Sequence, residues 1–410
     1  MGGGARRAGW SDLAHRCCLV LCTAAITSIG VAALGAPATP ATKRTIASRP
    51  SVHAANDAAH HARAHSRLAH SRHGIRHARN ARESVDRGAF ASVDERINNN
   101  TVAIIADGIG STDLAIVQDL SAVLDDGDSL RILPMVGAGG SRNVRDVRLM
   151  SGVDLGITQT NVLARLRESN EAGASGDKIV YLTKLFNEEM HILVRADSDL
   201  VAIEQLEART VSLGESGSGT QMVARDVLER LGIAVHEANM AAPEAIQRLQ
   251  SGDIDAVVVV GGKPVPGIAS LSAGFRVLAI PFAKPLREDF LPAELSSADY
   301  PGLIEPDRRI ETLAVGTLLI ARDWPRTSDR FRKIEKFVAA FFPQLAALQA
   351  PPRHPKWREV NLAASVAGAT RSSAAQEWLA QHREVAEQGR ALDRLASKVA
   401  RSSGASSSRE

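Results

Sequence analysis

Apolar runs and amphipathic stretches alternate along most of the chain after residue 98. Residues 101–106 are short, apolar and mostly branched, which is typical of a buried strand, and residues 113–124 carry apolar side chains at helical spacing. Residues 130–136 and 153–158 are further strands, each followed by a loop and a helical pattern. This repeated strand–loop–helix order predicts an α/β fold with a parallel sheet.

A second α/β set follows in the next part of the chain. It consists of predicted strands at residues 191–195, 210–213, 234–237, 255–260 and 275–280, and of helices at residues 220–231 and 243–251. The long apolar run 310–321 predicts a strand that returns to the first set, and amphipathic helices are predicted at 329–342 and 373–382.

Several loops between a predicted strand and the next helix are rich in glycine and hydroxyl residues. Such loops expose N–H groups at the positive end of a helix and suit anions. In open α/β sheets the ligand crevice lies outside these strand ends. Each loop taken alone is equally well explained as a tight turn. The predicted ligand-binding residues are Gly110, Ser111, Gly140, Ser141, Arg142, Gln159, Thr160, Ser216, Ser218, Gly219, Thr220, Gly262 and Lys263.

Three nucleotide-binding patterns fail on single residues. Asp113 stands where a dinucleotide fingerprint needs its third glycine, no lysine precedes Thr220, and Pro264 follows Lys263 where a phosphate loop needs Ser or Thr. The sequence also lacks a GxSxG elbow and an HExxH pair. We therefore predict no catalytic residue, no metal ligand and no cofactor, and an enzyme is the less favoured class because no base–nucleophile pair is found.

The N-terminal region differs from the rest in charge. Residues 1–97 hold 14 Lys and Arg against 6 Asp and Glu, a net of +8, which leaves −5 for the remainder of a 410-residue chain of net charge +3. Because the basic excess is confined to this arm, it is poor evidence for nucleic-acid binding by the folded part. Hydrophobic residues make up 44 %, enough for a globular core.

Residues 1–38 have the features of an export signal. Arg6, Arg7 and Arg16 precede an uncharged stretch, and Ala36-Pro37-Ala38 is a small-residue cleavage site. A retained membrane anchor is the alternative, and both readings place the body outside the cytoplasm, in the periplasm. All three cysteines lie within the first 22 residues, so no disulfide framework is predicted.

Residues 39–98 are rich in Ala, Arg, His and Ser and too poor in large apolar residues to fold alone. Seven of the chain's 12 histidines lie in this arm. His70, His73 and His77 would share a helical face that suits Zn²⁺ or Cu²⁺, although Gly74 weakens the helix. A solvated tether is the favoured interpretation, with metal buffering and adhesion to an anionic surface as alternatives.

Taken together, several stretches between residues 99 and 380 resemble the TAXI family of TRAP-transporter solute-binding proteins. The matching stretches are residues 139–143, 151–159, 184–191, 217–220, 255–264, 314–316 and 351–361. The resemblance implies a type II periplasmic-binding-protein fold of two lobes, each with a mixed, mostly parallel sheet flanked by helices. It places lobe 1 at residues 99–190 and 306–382 and lobe 2 at 191–305, with hinges near Met190 and Ile310. Residues 383–410 lie outside the resemblance, and their Ala-, Arg-, Glu- and Gln-rich composition predicts a frayed helix and a disordered tail.

The same resemblance implies a monomeric extracytoplasmic receptor that delivers a small carboxylate or amino acid to a TRAP-type permease. A sensory module that presents its closed form to a membrane partner is the alternative. We expect Arg142 or Lys263 to offset a ligand carboxylate, and Lys184 either to contact the ligand or to pair with Glu188 or Glu189. The chain departs from the family in its first loop, where Asp107 would oppose an anion unless it pairs with an amine or a basic side chain.

Overall fold

The computed structural model describes residues 97–169 and 179–406, so the predicted signal and almost all of the histidine-rich arm lie outside the described residues. Within these ranges the strands form one sheet, in the order β2-β1-β3-β10-β4-β7-β5-β6, with β8 paired to β4 and β9 to β10. The strands are β1 Thr101–Ile105, β2 Arg131–Met135, β3 Leu155–Gln159, β4 Ile179–Arg195, β5 Thr210–Ser212, β6 His236–Ala238, β7 Ala256–Gly261, β8 Phe275–Leu278, β9 Leu291–Ser296 and β10 Arg309–Arg322.

Helices cover this sheet and follow most of its parallel strands. They are α1 Thr112–Leu124, α2 Gly140–Leu149, α3 Thr160–Glu168, α4 Gly219–Leu231, α5 Ala242–Ser251, α6 Asp329–Phe341, α7 Ser373–Gln381 and α8 Arg383–Ser406. Short helical turns occupy Ile203–Leu206, Pro266–Ala269, Lys284–Leu286, Phe342–Gln344, Leu345–Leu348 and Pro355–Glu359. Among the helices described, none combines the length and apolar character needed to cross a bilayer.

The lobe at the β2 end of the sheet is built on three parallel strands. β1 pairs in parallel with both β2 and β3, and its side chains, such as Ile104, are buried. Leu120 of α1, Phe337 and Phe341 of α6, and Trp357 fill the same hydrophobic core. The apolar pattern of β1 and α1 is thus explained by burial in this lobe.

The lobe at the β6 end repeats this arrangement with its own cores. β5 pairs in parallel with β6 and β7. Val227 of α4 packs with Val258 on one face of the sheet, and Leu193 packs with Tyr300 on the other. Separate cores on either side of the central strands give the molecule two lobes.

Two long strands run through both lobes. β4 pairs with β10 in antiparallel fashion along residues 179–189, and beyond Glu189 it pairs with β7 and β8. β10 pairs first with β9 and then with β3, and its register with β4 shifts between Gly316 and Leu318. The α/β mixed sheet is confirmed: the parallel pairs lie in the outer strands and the antiparallel pairs involve these two crossing strands.

Two features differ from the sequence prediction. The strand expected at 191–195 begins at Ile179, because the polar residues Glu188 and Glu189 interrupt its apolar pattern while remaining buried. Helix α8 is docked at its start instead of frayed, since Ala386 is buried in the first lobe's core and the Asn361 amide donates to the Gly389 carbonyl over 2.8 Å.

Candidate functional site

Glycine-rich loops from the two lobes meet at the centre of the molecule. The N–H of Gly267 donates to the carbonyl of Gly110 over 3.0 Å, and the hydroxyl of Ser141 donates to the carbonyl of Gly217 over 3.1 Å. A Cβ added to Gly140 would lie 2.4 Å from the backbone nitrogen of Gly219. Such backbone approach requires glycine, so these residues allow the lobes to close on one another.

Side chains add three further contacts between the lobes. The hydroxyl of Thr112 donates to the carbonyl of Gly262, and the amide of Gln159 lies against Gly219. Arg165 of α3 pairs over 2.5 Å with Asp226 of α4, a carboxylate that is 1 % exposed. These side-chain contacts hold the lobes together in addition to the contacts between the glycine-rich loops.

Four helices begin at this junction. Ser111 caps α1 by accepting from Leu114 N, and Ser218 caps α4 by accepting from Gln221 N. The other two, α2 and α3, follow Gly139 and Gln159 without a side-chain cap bond. The first N–H groups of a helix carry partial positive charge, so the junction favours anionic groups.

One such anion is supplied by the protein itself. Asp107 follows β1, accepts from Gly108 N over 2.6 Å, and lies beside Gly139, where an added Cβ would be 3.0 Å from its Cγ. Burial raises the pKa of Asp107, the Gly108 hydrogen bond opposes this, and the charge of Glu215 adds to it. The start of α2 is thus already next to a carboxyl group.

Two more carboxyl groups lie deeper. Asp113 in the first turn of α1 is 1 % exposed, and Glu188 of β4 is 3 % exposed. Burial, with the nearby charge of Asp107, raises the pKa of Asp113 to about 8, and hydrogen bonding with Glu188 opposes the rise. Burial and the charge of Asp113 raise the pKa of Glu188. The two groups therefore tend to keep a proton between them at neutral pH.

The partners of these groups are few. Apart from the proton shared with Glu188, neither carboxylate oxygen of Asp113 has a hydrogen-bond donor among the described residues. Glu188 accepts one bond, from Gln159 Nε2 over 2.7 Å, and this leaves the buried Gln159 Oε1 without a partner within the described chain. The interior of the junction is consequently rich in acceptors and poor in donors.

Asn143 holds the strand ends and α2 in place. Its Nδ2 donates to the carbonyls of Ala106 and Ile157 over 3.0 and 2.9 Å, and its Oδ1 accepts from Gly139 N over 3.2 Å. This fully buried side chain therefore links β1, β3 and the start of α2.

The structure brings only some of the sequence-predicted residues together. Those brought to the contact between the lobes are Gly110, Gly140, Ser141, Gln159, Gly219 and Gly262, with Ser111 and Ser218 as helix caps. Ser216 is exposed, and Thr160 borders a separate cavity together with Arg167 and Ala369.

The predicted basic residues are engaged elsewhere. Arg142 lies 3.7 Å from Glu215 in a half-exposed pair, and Lys263 pairs with Asp299 over 3.1 Å. The expected pairing of Lys184 with Glu188 or Glu189 is wrong, because Lys184 donates to the neutral Asn187 over 2.9 Å.

Glu189 instead pairs with Lys356 over 2.6 Å. Thr220 has a structural contact that was not anticipated, since its Oγ1 accepts from Val260 N over 3.2 Å.

Sequence reasoning missed Asp113, Glu188 and Asn143 as site residues. Asp113 had been noted only as a defect in a glycine fingerprint, and an acidic residue in a first helical turn is ordinarily solvated. Asn143 stood within a stretch quoted for its family resemblance but gave no signal of its own. Within the described ranges, no three His, Cys, Asp or Glu side chains converge in a way that could hold a metal ion.

Solved structures similar to the chain include a periplasmic transporter (12 % identity, 73 % of this chain, 96 % of that chain, TM-score 0.45) and the periplasmic binding protein BugD (13 %, 72 %, 97 %, TM-score 0.44). The periplasmic aliphatic sulphonate-binding protein SsuA from Escherichia coli is also similar (17 %, 61 %, 74 %, TM-score 0.37). A model of the NMT1-like family matches residues 104–359, which is more than half of the sequence. The chain belongs to the NMT1-like family.

Proposed function

We propose that this chain is an extracytoplasmic solute-binding protein that captures a small, carboxylate-bearing solute between its two lobes and delivers it to a TRAP-type permease. The observation that carries the proposal is the meeting of glycine-rich loops from opposite lobes, at the starts of α2 and α4. A junction built from apposed helix N-termini suits capture of a ligand and needs no reacting group.

The positive ends of α2 and α4 support the carboxylate part of the proposal. Ser141 and Ser218 stand at these starts and carry hydroxyl groups, while Gly140 and Gly219 let a ligand approach the backbone. In the closed arrangement these groups touch one another, so a solute would enter when the lobes part and would then bridge them.

The crossing strands β4 and β10 are the proposed hinge. Both change neighbours between the lobes, near Glu189 and between Ala314 and Thr317. On this basis we propose lobe 1 at residues 99–190 and 306–382 and lobe 2 at 191–305. Small changes in these two strands would open the lobes while leaving their separate cores intact.

Cellular placement and partner rest on the sequence. The predicted export signal supports the periplasm, and the resemblance to TAXI proteins supports a TRAP-type permease. We propose that the protein works as a monomer without a cofactor, and that it carries a ligand without transforming it.

A thermal-shift screen of the full chain tests solute capture. Amino acids, dicarboxylates and 2-oxoacids are added singly, and a ligand at 100 times its Kd should raise the melting temperature by roughly 5 °C. Small-angle scattering should then show a more compact particle with the ligand. If no solute of these classes stabilises the protein, the proposed function is wrong.

A wedge variant sharpens the test. In Gly219→Ala the added Cβ would lie 2.3 Å from Gln159 Oε1, so closure is obstructed and affinity should fall at least tenfold. The matched control is Gly274→Ala in the same lobe, where nothing lies within 4 Å of the added Cβ. Equal affinity in both variants would contradict a ligand site between the lobes.

A further inference from the structure

The carboxyl groups of Asp113 and Glu188 lie where the two lobes meet. Asp113 follows Thr112, whose hydroxyl reaches Gly262 of the other lobe, and Glu188 is on the crossing strand β4. Gln159 touches both sides, since its amide donates to Glu188 and lies against Gly219. The pair is therefore placed at the proposed ligand site instead of in the core of one lobe.

No cationic side chain of the described chain pairs with these two groups. Arg142 pairs with Glu215, Lys263 with Asp299, and Lys356 with Glu189 and Glu359. The charged group near both of them, Asp107, is acidic as well. Buried carboxylates are ordinarily paired with a cation, so the charge of this pair calls for a partner from outside the chain.

Hydrogen bonding points in the same direction. Apart from the proton that Asp113 shares with Glu188, both oxygens of Asp113 and Oε1 of Gln159 are buried without a donor among the described residues. The Gln159 amide is oriented by its bond to Glu188, so its free oxygen faces the same junction. These acceptor atoms and the negative charge of the acid pair match the N–H donors and positive charge of an ammonium group, whereas a carboxylate would be repelled.

We propose that Asp113, Glu188 and Gln159 form the subsite for a protonated amino group of the ligand. This deepens the proposed function and depends on it: the captured solute carries an ammonium group beside its carboxylate, as amino acids do. The carboxylate would lie toward the starts of α2 and α4 and the ammonium group toward β4. The unpaired charge of the two acids would be neutralised when the lobes close on such a solute.

Matched ligand pairs test this assignment on the full chain by calorimetry at pH 7. Each amino acid is compared with its 2-hydroxy acid, such as alanine with lactate and glutamate with 2-hydroxyglutarate. The amino acid of the preferred pair should bind at least tenfold more tightly, because only it supplies charge-assisted donors. Equal or tighter binding of the hydroxy acid would overturn the ammonium subsite while leaving solute capture intact.

Variants locate the effect. Asp113→Asn and Glu188→Gln should each lower amino-acid affinity tenfold to a hundredfold, while their melting temperatures without ligand stay equal or rise. Glu244→Gln is the control, since this exposed carboxylate of the second lobe pairs with Arg248 on α5. Unchanged affinity in both site variants would overturn the proposal, as would binding of Ca²⁺ or Mg²⁺ with no binding of any amine. If no solute binds at all, the proposed function and this subsite fail together.

Discussion

Glu188 and Glu189 follow one another on β4, are almost equally buried at 3 % and 4 % exposed, and point to opposite faces of the sheet. Glu189 pairs with Lys356 over 2.6 Å and accepts from Lys263 N over 2.9 Å. Glu188 has one amide donor, and its other neighbours include the acid Asp113. These two neighbouring, equally buried glutamates therefore differ in their partners: Glu189 is paired with a cation, and Glu188 is not.

This contrast separates a structural charge from a functional one. A buried carboxylate with its own cation needs nothing further, and removing that cation exposes the full desolvation cost. A buried carboxylate without a cation lowers stability when it ionises, so its presence is best explained by a ligand. The pKa of Glu189 is also raised by burial, but the charge of Lys356 opposes the rise.

The largest expected effect is the loss of stability when Glu189 is deprived of its cation. Lys356→Met leaves Glu189 buried without its cation and should lower the free energy of unfolding by about 3–5 kcal/mol, measured by urea denaturation at pH 7. Adding Glu189→Gln to this variant should restore much of the loss, since no buried charge is left unpaired.

Lys184→Met is the matched control for that prediction. Lys184 is on β4, the strand that carries Glu189, but it donates to the neutral Asn187. Its replacement should therefore cost about 1 kcal/mol of stability. Equal losses in the two lysine variants would show that the Glu189 pair is not the stabilising feature and would break the comparison.

The Asp113–Glu188 pair, which has no cation, should affect the pH dependence of stability. The pKa of Asp113 is raised to about 8, whereas carboxyl groups of the unfolded chain release their protons near pH 4. Between these values the folded state holds a proton that the unfolded state has lost. The free energy of unfolding therefore falls as pH rises from about 4 to about 8, by up to about 1.4 kcal/mol per pH unit and retained proton.

Comparison with the double variant Asp113→Asn, Glu188→Gln isolates this contribution. Asp107 faces the pair in both proteins, Glu215 interacts with Asp107, and the raised pKa of Glu189 is common to both, so their contributions largely cancel. The double variant should show a flatter profile and a higher melting temperature at pH 8. Parallel profiles would mean that the pair holds no extra proton in the folded state.

The smallest effect concerns Thr220, whose hydroxyl, like the carboxylate of Glu189, already has a partner within the protein. Thr220→Val removes the acceptor for the buried N–H of Val260 and should cost about 1–3 kcal/mol of stability, with solute affinity changed less than threefold. Thr220→Ser keeps the hydroxyl and is the control. A tenfold loss of affinity with an unchanged melting temperature would instead make Thr220 a ligand donor, the role expected from the sequence.

Much of the fold is readable from the sequence because it depends on local patterns. The apolar run of β1, the helical spacing in α1 and the caps at Ser111 and Ser218 each arise from residues close together in the chain. The glycines at 110, 140 and 219 stand out in the sequence because their loops follow strands and precede helices. Local rules of this kind predicted the α/β class and the loops that meet between the lobes.

Tertiary structure alone decided which charges are paired. Lys356 reaches Glu189 from 167 positions away, and Asn143 joins β1 to β3, contacts that no local pattern encodes. The sequence indicates an ordinary solvated acid at Asp113, in a first helical turn, but the fold buries it beside Glu188. Burial depends on how separate parts of the chain close on one another, so the sequence determined the elements, and their packing determined which acid stabilises the protein and which awaits a ligand.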